Sequence, residues 1–268
     1  MKNKTFKLLS LLLTILFFSS GCGKENTKDK SLYQIKAKGF FIVGLDDQYP
    51  PMGFHNQDSN EIIGFDIDLA KEAARRLGLK VQFKPVICEN LINSLNKGDI
   101  DVVWNGMAIT DERKERIEFS KPYFSSRQIV MVALDSTITT LNMLKGKKIG
   151  LQLGSSSETA LNNETDLVKQ IKEMKKYENN TIALNELVSK KIDAVIINEF
   201  VGRWNMAKKP GVYKILTDNL GSEIIGVGMR KNDLTFKEAL DKVITEIKSS
   251  KAGDEISKKW FGENIFIK

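Results

Sequence analysis

Cysteine, histidine and proline are scarce in this 268-residue chain: 2 Cys, 1 His and 5 Pro. The cysteines are Cys22 and Cys88, too few for a disulfide framework, so any core must hold together by burial. The lone histidine, His55, excludes a multi-histidine metal site. It also excludes any Ser-His-Asp or Cys-His catalytic set built around another histidine. His55 lies among Asn56, Gln57 and Asp58 and reads as a solvated hairpin-loop side chain. No apolar run reaches the ~20 residues of a membrane-spanning helix. No basic run is interleaved with aromatics, so the formal charge of +7 gives no sign of a nucleic-acid partner. No internal repeat or low-complexity segment stands out.

The N-terminus has a pattern of its own. Lys2, Lys4 and Lys7 precede an apolar stretch from Leu8 to Phe18, too short for a stable span but suited to a signal-peptide core. Ser19-Ser20-Gly21-Cys22 then resembles a bacterial lipobox, although Ser19 stands where that pattern prefers Leu. Residues 1–21 are therefore expected to be a signal peptide and Cys22 a lipidated N-terminus. The alternative is an ordinary signal peptide with Cys22 incidental. A cysteine carrying several acyl chains would give stable anchoring at the extracellular face of the cell membrane. Removing residues 1–21 takes away three Lys and no acids and leaves 247 residues with a formal charge of about +4. The polar stretch from Gly23 to Ser31 reads as a flexible tether, with residues 22–32 assigned to it. Beyond it, about 235 residues at 41% hydrophobic content suffice for one large domain or two small ones.

Short apolar runs alternate with helical patterns, the signature of an α/β fold. Phe40 to Gly44 reads as a buried strand. Asp66 to Leu77 reads as a helix, with Ile67, Ala70, Ala74 and Leu77 on one face and Gly78 as its stop. Val81–Phe83 and Ile100–Trp104 read as strands around a short helix from Glu89 to Lys97. Thr110 is placed to cap a charged helical turn. A second block repeats the alternation: strand Ile149–Leu151, a helix opened by Ser155-Ser156-Ser157-Glu158 at capping-box spacing, helix Ala183–Lys191 and strand Asp193–Asn198. A helix from Leu234 to Lys248 and a last short helix follow. Two comparable blocks suggest two lobes. Open α/β sheets bind ligands beyond the carboxyl ends of their strands, where Asp46, Asn105-Gly106, Gly154-Ser155-Ser156 and Asn198 gather. A cleft between lobes is where they would converge.

Several ordered segments are similar to one known family. They are Val43 to Phe54 (VGLDDQYPPMGF), Gly64 to Ala70 (GFDIDLA), Trp104 to Arg113 (WNGMAITDER), Phe119 to Tyr123 (FSKPY) and Lys258 to Gly262 (KKWFG). Together they resemble the solute-binding proteins of polar amino acid ABC importers, family 3, from about Phe40 to Gly262. The resemblance implies an α/β, two-lobed, periplasmic-binding-protein-like (type II) clamp with two crossover hinge strands. Lobe 1 would comprise residues 33–126 plus 228–268 and lobe 2 residues 129–222, with crossovers near Ser125–Gln128 and Ile224–Met229. A ligand would close the lobes, and the permease would read the closed form. The implied partners are a small amino-acid-like solute and a membrane permease, with the chain itself a monomer and no cofactor or metal.

The resemblance also assigns residues. Arg113 would clamp the ligand α-carboxylate, which its paired donors fit; as plain sequence it could equally be a surface arginine of TDERKER. The amides of Ala108 and Ser156 would assist, the latter at a helix N-terminus, with Ser155 and Ser157 beside it. Asp46 would lie near the ligand's amino group, Tyr49 would form an aromatic wall, and Asn105 and the Gly106 carbonyl would meet ligand polar groups. Three positions depart from the family: Ala108 replaces a hydroxyl residue, Asn198 replaces an Asp that pairs with the α-ammonium, and Cys88 replaces a stacking aromatic. Asn198 keeps an acceptor oxygen but no charge. Weakened α-ammonium recognition, or a ligand without a conventional α-ammonium, is therefore expected. Cys88 reads as a small buried hydrophobe, with a reactive thiol as the alternative. Two other functions stay open, an exported enzyme of the same fold using Asp46, Asp47 or Glu199 as acid or base, and a ligand-sensing domain.

Overall fold

The computed structural model describes residues 29–267. The expected signal peptide, Cys22 and most of the tether lie outside the described residues. The tether assignment overran by two residues, because Ser31 and Leu32 open helix α1 (Ser31–Lys38). Ser31 is fixed by its own hydroxyl, 3.0 Å from Thr235 Oγ1 and an acceptor for the Phe236 N–H at 3.1 Å.

Strand β1 (Phe40–Leu45) follows, with Phe41, Val43 and Leu45 fully buried. A small antiparallel sheet is made by β2 (Gln48–Tyr49), β3 (Gly53–His55) and β4 (Ile62–Ile63). Helix α2 (Phe65–Leu77) buries Ile67, Ala70 and Ala74 at the expected three- and four-residue spacing, and Gly78 at φ 69° stops it. Next come β5 (Lys80–Pro85), a 3₁₀ turn at Cys88–Asn90, and α3 (Leu91–Lys97). Strand β6 (Val102–Val103) is shorter than the expected Ile100–Trp104. Helix α4 (Asp111–Arg116) starts where the Thr110 hydroxyl accepts the Arg113 N–H at 3.3 Å, the expected cap, and β7 (Glu118–Phe119) follows.

The long strand β8 (Phe124–Ala133) carries the chain into the second lobe. There follow β9 (Lys148–Gln152), α5 (Ser156–Asn163), α6 (Thr165–Val168), β10 (Glu173–Tyr177) and α7 (Asn180–Val188). Then come β11 (Ala194–Asn198), α8 (Glu199–Lys208) and β12 (Tyr213–Ile225), which returns to the first lobe. There β13 (Gly228–Met229), α9 (Leu234–Lys248) and α10 (Lys251–Phe261) complete the chain.

One sheet has the order β5-β1-β6-β13-β7 and draws its strands from both ends of the chain. The other, β10-β9-β11-β8-β12, is built from the middle. Strands β8 and β12 run antiparallel side by side, with Phe124 opposite Ile225, Ser125 opposite Ile224 and Ser126 opposite Glu223. These two strands join the lobes. The polar residues after β1 and at the end of β9, Asp46 and Gln152, meet across the cleft between the two sheets.

Candidate functional site

On the first lobe, β1 ends in a turn held by its own side chains. Asp46 Oδ1 accepts the Gln48 N–H at 2.9 Å, and Asn105 Oδ1 accepts the Asp46 N–H at 3.0 Å. The loop after β6 is fixed from beneath by Asp66, 1% exposed, which accepts the Gly106 N–H and, at 2.8 Å, the Tyr123 hydroxyl. Burial pushes the Asp66 carboxyl up to about 7, against those two donors. The short α4 turn aims Arg113 across this loop: Nη1 donates to the Ala108 carbonyl at 3.0 Å.

On the second lobe, Gln152 ends β9 with no exposed surface. Its Nε2 donates to the Glu178 carbonyl at 3.0 Å, and its Oε1 accepts from Asn180 Nδ2 at 2.9 Å. Asn198 ends β11 and caps α8, its Oδ1 accepting the Phe200 N–H at 3.2 Å and the Ser126 hydroxyl at 2.5 Å. Its Nδ2 donates to Glu223 of β12. Gln128 Nε2 reaches the same Glu223 oxygen and Ser156 Oγ, both at 3.0 Å, and its Oε1 accepts from Ser157 at 2.6 Å.

Four contacts close the cleft. Gln152 Nε2 donates to Asp46 Oδ2 at 2.5 Å, Arg113 Nη2 to the Gly154 carbonyl at 3.1 Å, and Asn179 Nδ2 to Gln48 Oε1 at 3.0 Å. The Tyr49 and Phe200 rings meet edge to face at 5.7 Å. The cavity left between Tyr49, Cys88, Leu91, Asn105, Gly106, Met107, Arg113, Gln152, Ser155 and Ser156 is about 20 Å³. That holds about one water, against some 300 Å³ or more for a typical small-molecule site, so the lobes stand closed. A chamber of about 240 Å³ shares Cys88, Met107, Arg113 and Ser155 with it and adds Glu89, Ile92, Thr159 and Asn162.

The cleft chemistry is uneven. Arg113 acts electrostatically on both Cys88 and Glu223, while Asp46, Glu89 and Glu158 act on Cys88 with the opposite sign. Burial raises the Asp46 and Glu223 carboxyls above the ordinary range and pushes the Cys88 thiol up to about 11. A neutral thiol at physiological pH fits the reading of Cys88 as a small hydrophobe.

The structure thus brings Tyr49, Cys88, Asn105, Gly106, Arg113, Ser155 and Ser156 onto the cavity wall, with Asp46 tied to Gln152 beside it. Ala108 offers its carbonyl to Arg113. Ser157 is 4% exposed and turns away to Gln128. The expected capping box at the start of α5 forms differently: Ser155 Oγ donates back to the Gln152 carbonyl at 2.7 Å, and Glu158 accepts the Gly154 N–H at 3.1 Å. The acceptor oxygen that Asn198 keeps is occupied by its own helix cap and by the Ser126 hydroxyl. His55 is not simply solvated; its Nε2 lies 2.8 Å from Asp47 Oδ2.

A sequence profile of the bacterial extracellular solute-binding proteins, family 3, matches residues 41–263. The chain belongs to that family. This family 3 solute-binding protein is 29% identical to the L-cystine-binding protein TcyJ of Escherichia coli K12, over 92% of each chain. It is 31% identical to a Streptococcus pneumoniae ABC uptake transporter substrate-binding protein solved with bound histidine. That structure superposes with a TM-score of 0.86 over 90% of this chain and 99% of the other. An ancestral amino acid-binding protein, AncCDT-1, described as a precursor of cyclohexadienyl dehydratase, is 33% identical with a TM-score of 0.79, covering 86% and 99%. These likenesses extend over both lobes and establish the two-lobed type II clamp.

Sequence reasoning about this family 3 protein missed Gln128, Gln152, Phe200 and Glu223. Gln152 ends a strand on a polar residue, as Asn198 does, and that signal was available. Glu223 carried none, since its importance arises only when β12 lies beside β8 and the end of β11.

Proposed function

We propose that this protein captures a free α-amino acid, or a close zwitterionic relative, between its lobes and delivers it to the permease of an ABC importer. Arg113 carries the reading. Its two terminal nitrogens donate to one neutral carbonyl from each lobe, Ala108 and Gly154. A ligand carboxylate offers the same fork two charged oxygens, and charge-assisted bonds are roughly twice as strong as neutral ones. Exchange of partners would therefore favour the solute and keep the lobes together. Tyr49 and Phe200 form an apolar wall, Asn105 and Gly106 supply polar contacts, and Ser155 and Ser156 line the far side. The cystine and histidine named for two relatives both carry the α-amino acid group that this arrangement fits.

Binding without turnover is part of the proposal. The cleft carboxylates that could move protons, Asp46 and Glu223, each accept two hydrogen bonds from the protein and so are engaged in holding the walls. The test is mass spectrometry of any solute released on denaturing the purified protein, followed by calorimetry of the stripped protein with the twenty L-amino acids and L-cystine. Tight binding with the solute recovered unchanged is expected. Binding of none of them, or recovery of a transformed product, would refute the reading.

The chain is further proposed to be a monomer held at the extracellular face of the membrane through lipid on Cys22. Replacing Cys22→Ser should move the protein from the membrane fraction to the medium; unchanged membrane retention would argue against lipid at this position.

A further inference from the structure

We infer that Glu223, on the hinge strand β12, carries the negative charge that meets the solute's α-ammonium, with Asn198 and Gln128 holding it in place. The inference rests on the amino-acid reading above and deepens it.

The end of β11 is where a counter-charge was expected and Asn198 stands instead. The geometry shows why Asn198 cannot take that part. Its Oδ1 already accepts the Phe200 N–H at 3.2 Å, and a backbone N–H is a donor in every protonation state. That fixes the amide orientation without appeal to the Ser126 hydroxyl. The Nδ2 donor therefore points the other way, to Glu223. A donor in this place would repel an ammonium, whereas the carboxylate it holds would attract one.

Glu223 is poised for a cation. Two amide donors converge on its Oε1, from Asn198 and from Gln128 at 3.0 Å. A carboxylate accepts about four hydrogen bonds, so capacity remains. Nearby Glu199 is held by Arg127 and Arg203, each at 2.7 Å, and its carboxyl lies below the ordinary range. Glu223 joins no ion pair among the described residues, and burial leaves its carboxyl raised. A half-buried carboxylate held by neutral amide donors gains when a cation arrives. Arg113 acts on Glu223 electrostatically, and Ser156 sits both on the cavity wall and against Gln128. Glu223 and Gln128 line a chamber of about 320 Å³ that shares Ser156 with the Arg113 cavity, so the fork for a carboxylate and the seat for an ammonium lie on either side of Ser156. The weakened ammonium recognition expected from Asn198 is replaced by recognition through a different strand.

The test uses the lipid-free mature protein, with Glu223→Gln, Asn198→Asp and the double variant. Each is titrated calorimetrically with the tightest binder among the twenty L-amino acids and L-cystine, and with that compound's α-deamino analogue. Glu223→Gln should weaken the amino acid roughly 10- to 100-fold, the range for a hydrogen bond to a charged group, and leave the analogue's affinity nearly unchanged. Asn198→Asp alone should bring no gain, because two carboxylates would then share one seat. The double variant should recover most of the lost affinity. Equal loss for amino acid and analogue in Glu223→Gln would mark a structural role and overturn the inference, as would no loss at all. A wild type that binds no α-amino acid would overturn the inference together with the amino-acid reading.

Discussion

Asp66 sits almost without water beneath the loop that carries Gly106, accepting one backbone and one phenolic donor. Its native pKa of about 7 lies above the ordinary 3.8 because burial penalises the charged form. Between those values the folded protein binds more protons than the unfolded chain, so this group's contribution to stability is complete below about pH 4 and is lost as pH rises through 7. Asp66→Asn can keep both bonds, its oxygen accepting from Gly106 and its amide donating to Tyr123. Thermal melts from pH 4 to 8 should therefore show a flatter profile for the variant and, at pH 8, a melting temperature at or above that of wild type. Arg113 gives the second prediction at this scale. Arg113→Lys keeps the charge but not the fork, and it should weaken amino-acid binding by about 1.5–3 kcal/mol in calorimetry, with the unliganded melting temperature little changed. Residues such as Arg113, Tyr49 and Asn105 were legible because each sits inside a recognisable local motif. Gln128 and Glu223 were not, because their roles depend on strands far apart in sequence meeting side by side.

Elements with strong local signals fell where the sequence put them. The α2 helix stops at Gly78, α4 is capped by Thr110, and α9 spans Leu234–Lys248. Helix α8 was missed. Gly202 interrupts its apolar pattern, and the helix packs closely there: a Cβ would lie 2.7 Å from the tip of the Ile129 side chain. The strands β2 to β4 have two or three residues each and are too short for alternation to register. The turn between β9 and α5 yields a prediction. Gly154 has φ +73°, and a Cβ on it would lie 2.7 Å from the Glu89 backbone of the opposite lobe. Gly154→Ala should leave the fold intact but hold the lobes apart, with weaker amino-acid binding and a larger radius of gyration by X-ray scattering in the liganded state. An unchanged radius and affinity would show that the close approach is not needed for closure.

For the whole molecule, the two α/β blocks were readable from alternation alone, but the discontinuous first lobe was not. No periodicity says that β13 returns to pair with β6 and β7; that arrangement came from the resemblance. With a solute bound only by the closed form, binding should stabilise the protein by mass action, about 2.7 kcal/mol at a solute concentration 100 times Kd. The melting temperature should therefore climb steadily with the concentration of the amino acid that binds, and a compound that leaves it flat is not a ligand of this cleft.

The first described residues have a mechanical meaning. Asp29 accepts the Ser31 N–H and also the Thr235 N–H at the start of α9, while Ser31 bonds to Thr235 and Phe236. The first described residues are thus riveted to the first lobe. Any pull transmitted from upstream is borne by that lobe, like the handle of a pair of tongs, and the second lobe is the jaw left free to swing.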